Sequence, residues 1–271
     1  PPSANAHVTG VYWTHFGTGT LTNETTLTPT YTPGAGETGS IMFVLTGFAT
    51  PPCSDVLDFV TLTIAAAPSA TLTGGGTICA GNSSSLSVAF TGTGPWTFVY
   101  SAGGVNQTPI TTSSNPHVIS VSPAATTNYA LVSVQSPACA GTVSGTATVT
   151  VNPLPVVVAS ANPTSICAGG SSLVSATGAT TYTWDQGLGA GQTHPVTPAA
   201  TTTYIVTGTL NGCTATDDIT VTVNARPTVT ANATDLEICA GETTNLTASG
   251  AASYSWSHGA SGSPVSVSPS V

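Results

Sequence analysis

Ile166-Cys167-Ala168-Gly169, followed by Tyr182-Thr183-Trp184-Asp185, is the stretch on which the reading of this 271-residue chain turns. The four-residue phrase begins again at Ile78 and at Ile238. Each time a Trp follows the Cys by 17 residues: Cys79 to Trp96, Cys167 to Trp184 and Cys239 to Trp256. Three identical intervals mark a tandem array of one small unit, and such periodicity decides the architecture before any local pattern is weighed.

Outward from each Cys-Trp pair the same order recurs. A proline-to-tyrosine phrase runs from Pro123 to Tyr129 and from Pro198 to Tyr204. A closing stretch then alternates hydroxyl and apolar residues, at Thr146-Ala147-Thr148-Val149-Thr150-Val151 and Ile219-Thr220-Val221-Thr222-Val223. That alternation predicts half-buried strands, where β-branched Thr and Val suit the pleated surface. The order divides the chain into four repeats: residues 1–67, 68–152, 153–224 and 225–271. Trp96 to Pro123 is 27 residues whereas Trp184 to Pro198 is 14, so repeat 2 carries an inserted hairpin or loop near Asn106 to Asn115. Repeat 1 has its core strand at Tyr12-Trp13 and its closing strand at Phe59 to Ile64, but no Ile-Cys-Ala-Gly element, and it reads as incomplete at its N-terminal side. Repeat 4 stops before a closing strand, which leaves sheet edges that downstream residues or a partner chain would complete. The whole reads as an interior piece of something longer.

Composition narrows the function classes. Charged residues are 4% of the chain, with no Lys and a single Arg, Arg226, and the net charge is −9. Neutralising phosphates takes Lys and Arg, so nucleic acid is excluded as a partner. The same shortage speaks against docking on anionic lipid. No run of 18 apolar residues exists, which argues against direct membrane insertion by a helix. Edge strands are often blunted by Lys; neutral, hydroxyl-rich edges here favour self-association into a fibre or homo-oligomer. Gly74-Gly75-Gly76 reads as a flexible turn, because it lacks the Gly-Lys-Ser/Thr of a phosphate-binding loop.

Each repeat of this size buries little core. Trp13, Trp96, Trp184 and Trp256 are expected to supply its largest apolar block. No Cys-x-x-Cys pair occurs among the six cysteines, so disulfides in an oxidising compartment are expected rather than zinc. The expected structural pairs are Cys79 with Cys139 and Cys167 with Cys213, each worth roughly 4 kcal/mol on the chain-entropy model. Partners for Cys53 and Cys239 are not assigned within the chain. No catalytic residue is assigned: none of His7, His15, His117, His194 and His258 lies in a metalloprotease motif, and no nucleophile elbow occurs. Asp217, Asp218, Asp235 and Glu237, with Glu242, are the candidates for a calcium site, since calcium takes oxygen ligands. Solvated charge is the simpler reading of the same residues. No other cofactor is expected.

These phrases resemble the Ig-like and PKD-like tandem repeats of large surface proteins from Bacteroidota-type bacteria. The carriers are Ile-Cys-Ala-Gly at 78, 166 and 238, Tyr182-Thr183-Trp184-Asp185, Tyr254-Ser255-Trp256, Asn211-Gly212-Cys213, and Thr-Val-Thr-Val-Asn at 148–152 and 220–224. The resemblance implies an all-β fold, a tandem array of small Ig-like β-sandwich domains, on the cell surface and exported by a type IX system. Repeat 1 looks like a PKD-type sister. The typical PKD continuation after Trp-Asp is absent, since Gln186-Gly187-Leu188-Gly189 follows. The implied role is a non-catalytic structural segment of an extracellular adhesin or surface filament serving adhesion, gliding or cell-cell contact. The alternatives are a glycan- or protein-binding module, using the Gly103 to Asn115 loops or the tyrosines beside each Trp, and a spacer in a secreted enzyme.

The only basic site is Arg226-Pro227. The chain is therefore expected to stay at full length after prolonged trypsin treatment in denaturant, as read by intact-mass spectrometry.

Overall fold

The Ile-Cys-Ala-Gly phrase folds as a strand end entering a tight turn. In the computed structural model, which describes residues 8–268, Asn82 N–H donates to Cys79 O at 3.0 Å, Gly170 N–H to Cys167 O at 2.8 Å and Glu242 N–H to Cys239 O at 3.0 Å. The third residue of each turn is Gly81, Gly169 or Gly241, at φ of 88°, 82° and 90°. A turn closed in this way with positive φ at its third position selects Gly, because a Cβ there crowds the backbone. A second clamp lies five residues after each Cys. Ser84 Oγ donates to Gly75 O (3.1 Å), Ser172 Oγ to Pro163 O (2.6 Å) and Thr244 Oγ1 to Asp235 O (3.3 Å). The hydroxyl thus holds the chain that leaves the turn against the chain that entered it.

The chain divides into two compact units, Pro1–Pro153 and Leu154–Val271. The first begins with β1 (Val8–His15), β2 (Thr20–Thr22), β3 (Thr30–Thr32), β4 (Gly39–Ala49) and β5 (Val56–Ile64). These make a three-stranded antiparallel sheet, β1-β4-β5, and a separate β2-β3 pair. Repeat 2 follows with β6 (Ser69–Gly74), β7 (Gly76–Cys79), β8 (Ser84–Phe90), β9 (Trp96–Ala102), β10 (Val105–Asn106) and β11 (Ile110–Thr112). It continues with β12 (His117–Val121), β13 (Thr127–Gln135), β14 (Thr142–Ser144) and β15 (Thr146–Asn152). Its two sheets run β10-β9-β13-β15-β7, with β11 also on β9, and β12-β8-β6-β14. The insertion near Asn106 to Asn115 is the β10–β11 excursion, folded back on β9.

Two strands of repeat 2 change sheets midway. β6 ends on Gly74 in one sheet and β7 begins on Gly76 in the other, with Gly75 between them and all three glycines at positive φ. A Cβ on Gly75 would fall 2.4 Å from Thr148 O. The triglycine is therefore a close-packed crossing, and its reading as a flexible turn is corrected. On the far side β14 pairs parallel with β6, and β15 pairs parallel with β7.

The second unit repeats the plan with β16 (Val158–Asn162), β17 (Ser165–Cys167), β18 (Ser172–Thr177), β19 (Thr181–Trp184) and β20 (Gly189–Ala190). It then adds β21 (Thr193–Val196), β22 (Thr202–Leu210) and β23 (Cys213–Asn224). The sheets are β16-β18-β21 and β17-β23-β22-β19-β20, and β17 again joins β23 in parallel. Repeat 4 contributes β24 (Thr230–Ala233), β25 (Thr244–Ser249) and β26 (Val265–Val267) in one antiparallel sheet. No helix occurs among the described residues.

Each complete repeat holds its own core. In repeat 2, Leu72, Leu86, Val88, Trp96, Phe98, Tyr129 and Val149 are buried together, with Phe90 stacked on Trp96 at 4.9 Å. In repeat 3 the set is Val157, Ile166, Val174, Tyr182, Trp184, Tyr204, Val206 and Val221. Trp13 and Trp256 are half-buried. Every indole N–H finds a backbone carbonyl: Trp13 to Thr26 (3.1 Å), Trp96 to Thr91 (3.1 Å), Trp184 to Gly191 (3.1 Å) and Trp256 to Gly262 (2.9 Å). A buried ring keeps its apolar gain only when its polar atom is paired.

The cysteines depart from expectation. Cys139 and Cys167 are free thiols, as are Cys53 and Cys239, so neither Cys79–Cys139 nor Cys167–Cys213 forms. Cys79 and Cys213 are each disulfide-bonded. The sheet register explains why the expected pairs fail. Cys167 sits level with Asn224 at one end of β23, while Cys213 begins that 12-residue strand at the other. At about 3.3 Å per residue they stand on the order of 35 Å apart along the strand, and a disulfide needs Cα atoms within about 7 Å. Repeat 2 is built alike: Cys79 is level with Asn152, whereas Cys139 lies past Gln135 at the opposite end of the antiparallel neighbour β13. Cys139 instead donates its thiol hydrogen to Ala65 O at 3.5 Å.

Repeat 1 is braced by a carboxylate. Glu37 accepts hydrogen bonds from Tyr31 Oη (2.7 Å), Gly34 N–H (2.8 Å) and Thr18 N–H. Desolvation pushes its pKa upward, but the hydrogen bonds from Gly34, Tyr31 and Thr18 outweigh it and hold the carboxyl at about 2. A carboxyl depressed on folding stabilises the fold above its ordinary range and loses that contribution as pH falls toward its folded value.

Two outcomes follow from this packing. Trp184→Ala should cost repeat 3 about 3–5 kcal/mol, and Trp256→Ala should cost repeat 4 less, as read by amide exchange in each repeat. Protection of the Thr18 and Gly34 amides should fall between pH about 4.5 and about 2, and Glu37→Gln should flatten that dependence in an NMR titration.

Candidate interaction surface

The residues with chemistry do not converge. Among the described residues no group of three or more His, Cys, Asp or Glu side chains is placed to hold a metal ion. Asp217 faces inward from β23 and accepts the Ala159 N–H at 2.8 Å, which makes it a brace between sheets, while Asp218 points to the exposed face. Asp235 and Glu237 line a shallow depression with Glu242 in repeat 4, where Glu242 accepts the Cys239 N–H at 3.0 Å. The grouping of these carboxylates around one calcium ion is therefore not formed.

The tyrosines considered for a sugar surface divide. Tyr182 is buried, and its hydroxyl donates to Ala179 O (2.7 Å) while accepting Ala179 N–H (2.8 Å); Tyr254 repeats this with Ala251 at 2.7 and 2.9 Å. Burial pushes the Tyr204 phenol above its ordinary pKa, with Asp185 adding to the effect. Tyr12 is exposed and Tyr100 half-buried. In the repeat 2 excursion Asn115 is structural: its side chain accepts Phe90 N–H at 3.0 Å and donates to Phe90 O at 2.8 Å.

The surface that stands out is apolar. Every residue of β5 but Ile64 is exposed, and the strand presents Val56, Leu57, Phe59, Val60 and Leu62. Among the described residues β5 pairs with β4 along one edge only. Its counterparts β15 and β23 are paired along both edges. Register identifies equivalent positions. Phe43 pairs Val60 as Tyr204 pairs Ile219, so Leu62 corresponds to Val221 and, in repeat 2, to Val149. Leu62 is 44% exposed, whereas Val149 and Val221 are each 0%. Repeat 4 also exposes apolar side chains. An open cavity of about 320 Å³ is lined by Val229, Ala231, Ala248, Tyr254 and Trp256. Val229 is 55% exposed, whereas its counterpart Val157 in repeat 3 is 8% exposed.

The alternation of the sequence marked the closing strand of repeat 1, Phe59 to Ile64, which lies within β5. Reading the sequence missed the hydroxyl clamp after each Cys, although a Ser or Thr at a fixed five-residue distance was visible. It also missed the bracing role of Asp217, which only cross-sheet geometry reveals.

The family model described as the Ig-like domain of nucleoporin POM152 matches residues 71–149, within repeat 2. No curated protein matches the chain. Among solved structures, the titin I-band fragment I67–I69 aligns with a TM-score of 0.43 at 11% identity, over 79% of this chain and 88% of that one. The Sidekick-1 immunoglobulin domains 1–5 align at 0.33 and 11%, over 80% and 52%. The N-terminal eight Ig domains of the Down Syndrome Cell Adhesion Molecule align at 0.32 and 12%, over 90% and 36%. The chain is an all-β tandem of small Ig-like β-sandwiches.

Proposed function

We propose that this chain is a non-catalytic structural segment of an extracellular adhesin or surface filament, built as four Ig-like repeats of which the first and last are partial. The observation that carries the reading is duplication of internal architecture. Repeats 2 and 3 use the same turn, the same hydroxyl clamp and the same parallel closure of the last strand, each around its own core. Copying a self-sufficient bead extends a chain without adding a reaction centre, since each bead contacts mainly its neighbours. Short linkers such as Asn152-Pro153-Leu154-Pro155 suit that role, because Pro restricts the backbone.

The Ile-Cys-Ala-Gly resemblance supports placement among Bacteroidota-type surface proteins exported by a type IX system. Disulfide-bonded Cys79 and Cys213 support an oxidising, extracellular setting. Antibodies raised against the 271-residue chain should label intact, unpermeabilised cells of the source organism, and brief proteinase K treatment of those cells should remove the signal. Labelling that appears only after permeabilisation would sink the reading.

A further inference from the structure

Repeat 3 holds an open pocket of about 380 Å³ whose walls are Leu188, Pro195, Val196 and Pro198. Polar groups enter it from Gln186, Thr202 and Tyr204. Tyr204 is 5% exposed, yet its hydroxyl has no hydrogen-bond partner among the described residues. The Tyr182 hydroxyl in the same core is satisfied twice, by the N–H and the carbonyl of Ala179. Polar groups this deep are ordinarily paired, so the Tyr204 hydroxyl is a bonding group that the fold itself does not use.

Comparison with repeat 2 shows how the pocket arises. Four residues after its Trp, repeat 2 has Tyr100, half-buried, with its ring centroid 6.4 Å from that of Tyr129, the counterpart of Tyr204. Repeat 3 has Leu188 at that place, and its chain has already turned. Leu188 N–H donates to Asp185 O at 3.1 Å, with Gln186 and Gly187 at φ of 52° and 75°. Two successive positive φ angles favour Gly, Asn or Asp. Gln186 is none of these, and a side chain kept in a disfavoured backbone conformation at a pocket rim points to a use for it. Asp185 pins the turn to β22: its N–H donates to Ile205 O at 3.0 Å and its Oδ1 accepts Ile205 N–H at 2.9 Å.

The chemistry of the lining selects the ligand. A phenol and a carboxamide both donate and accept, while Thr202 Oγ1 gives its hydrogen to Ala200 O at 2.8 Å and is left to accept. There is no Lys, and the single Arg, Arg226, donates to Ala168 O. Nothing in the lining compensates an anion, and the Asp185 carboxylate acting on Tyr204 repels one. Apolar walls with a few neutral hydrogen-bonding groups suit a ring with C–H faces and hydroxyls at its edge. We infer that this pocket binds one pyranose residue of a neutral glycan, with Tyr204 and Gln186 bonding its hydroxyls. Binding here does not depend on where the chain is displayed, so sugar binding and cell-surface labelling can fail separately.

Amide correlation NMR spectra of the 271-residue chain, titrated separately with glucose, galactose, mannose and N-acetylglucosamine, should shift Gln186, Leu188, Val196 and Thr202 with at least one sugar. Glucuronate should shift them less. Tyr204→Phe keeps the ring and removes only the unbonded hydroxyl. It should therefore unfold at the wild-type temperature while affinity falls about tenfold, the scale of one lost hydrogen bond. Leu188→Tyr places the repeat 2 side chain over the pocket and should abolish the shifts. Absence of shifts at these amides with all the neutral sugars overturns the proposal. So does binding at wild-type affinity by Tyr204→Phe, which decides the matter even where Leu188→Tyr fails to fold.

Discussion

The parallel pairing of a short early strand with the last strand of its own repeat is the constraint on which the rest depends. β7 on β15 and β17 on β23 close the sandwich by covering the one edge that antiparallel neighbours leave open. Closure buries Val149 and Val221 completely. It also brings the Ile of the recurring phrase against the core and fixes where the following turn must begin. The Ala after each Cys continues the ladder, with Ala80 and Ala168 N–H both bonding an Asn carbonyl at 2.9 Å. Among the described residues no such strand pairs with β5, and its apolar side chains are exposed.

Closure at one pole also settles the cysteines. The Cys of the phrase sits at the end where the chain leaves the repeat, while Cys139 and Cys213 lie at the end where it enters. Chain-entropy reasoning rewards bridging the two within a repeat, but it carries no information about which end of a strand a residue occupies. Strand length then forbids the bridge. Two beads that share one sequence plan make the same separation, so the result follows from the architecture rather than from an irregularity of one copy.

Polar satisfaction accounts for features that look arbitrary in the composition. A chain with 4% charged residues cannot tie its loops with ion pairs. It uses hydroxyls and amide-like acceptors instead: the Ser or Thr after each turn, Tyr182 and Tyr254 on their own turns, Thr203 on Thr220 at 2.7 Å, Ser160 on Ser175 at 2.8 Å. The few carboxylates serve as local braces, Glu37 in repeat 1 and Asp217 in repeat 3. Hydrogen bonds to charged acceptors are stronger than neutral ones, so a small number suffices.

Much of this was legible in the residues themselves. The 17-residue Cys-Trp interval, the Thr-Val alternation and the turn glycine are local patterns, and local patterns carry secondary structure, the recurrence of one plan and the burial of Trp96 and Trp184. What the chain order could not carry was long-range register. Whether Cys167 meets Cys213, whether Asp217 binds calcium or an amide, and whether Gly74-Gly75-Gly76 bends freely or crosses between sheets all depend on strands brought level by pairing tens of residues away. Side-chain spacing along one strand says which face a residue takes; only the partner strand says which end it stands at, and that is what tertiary structure decided.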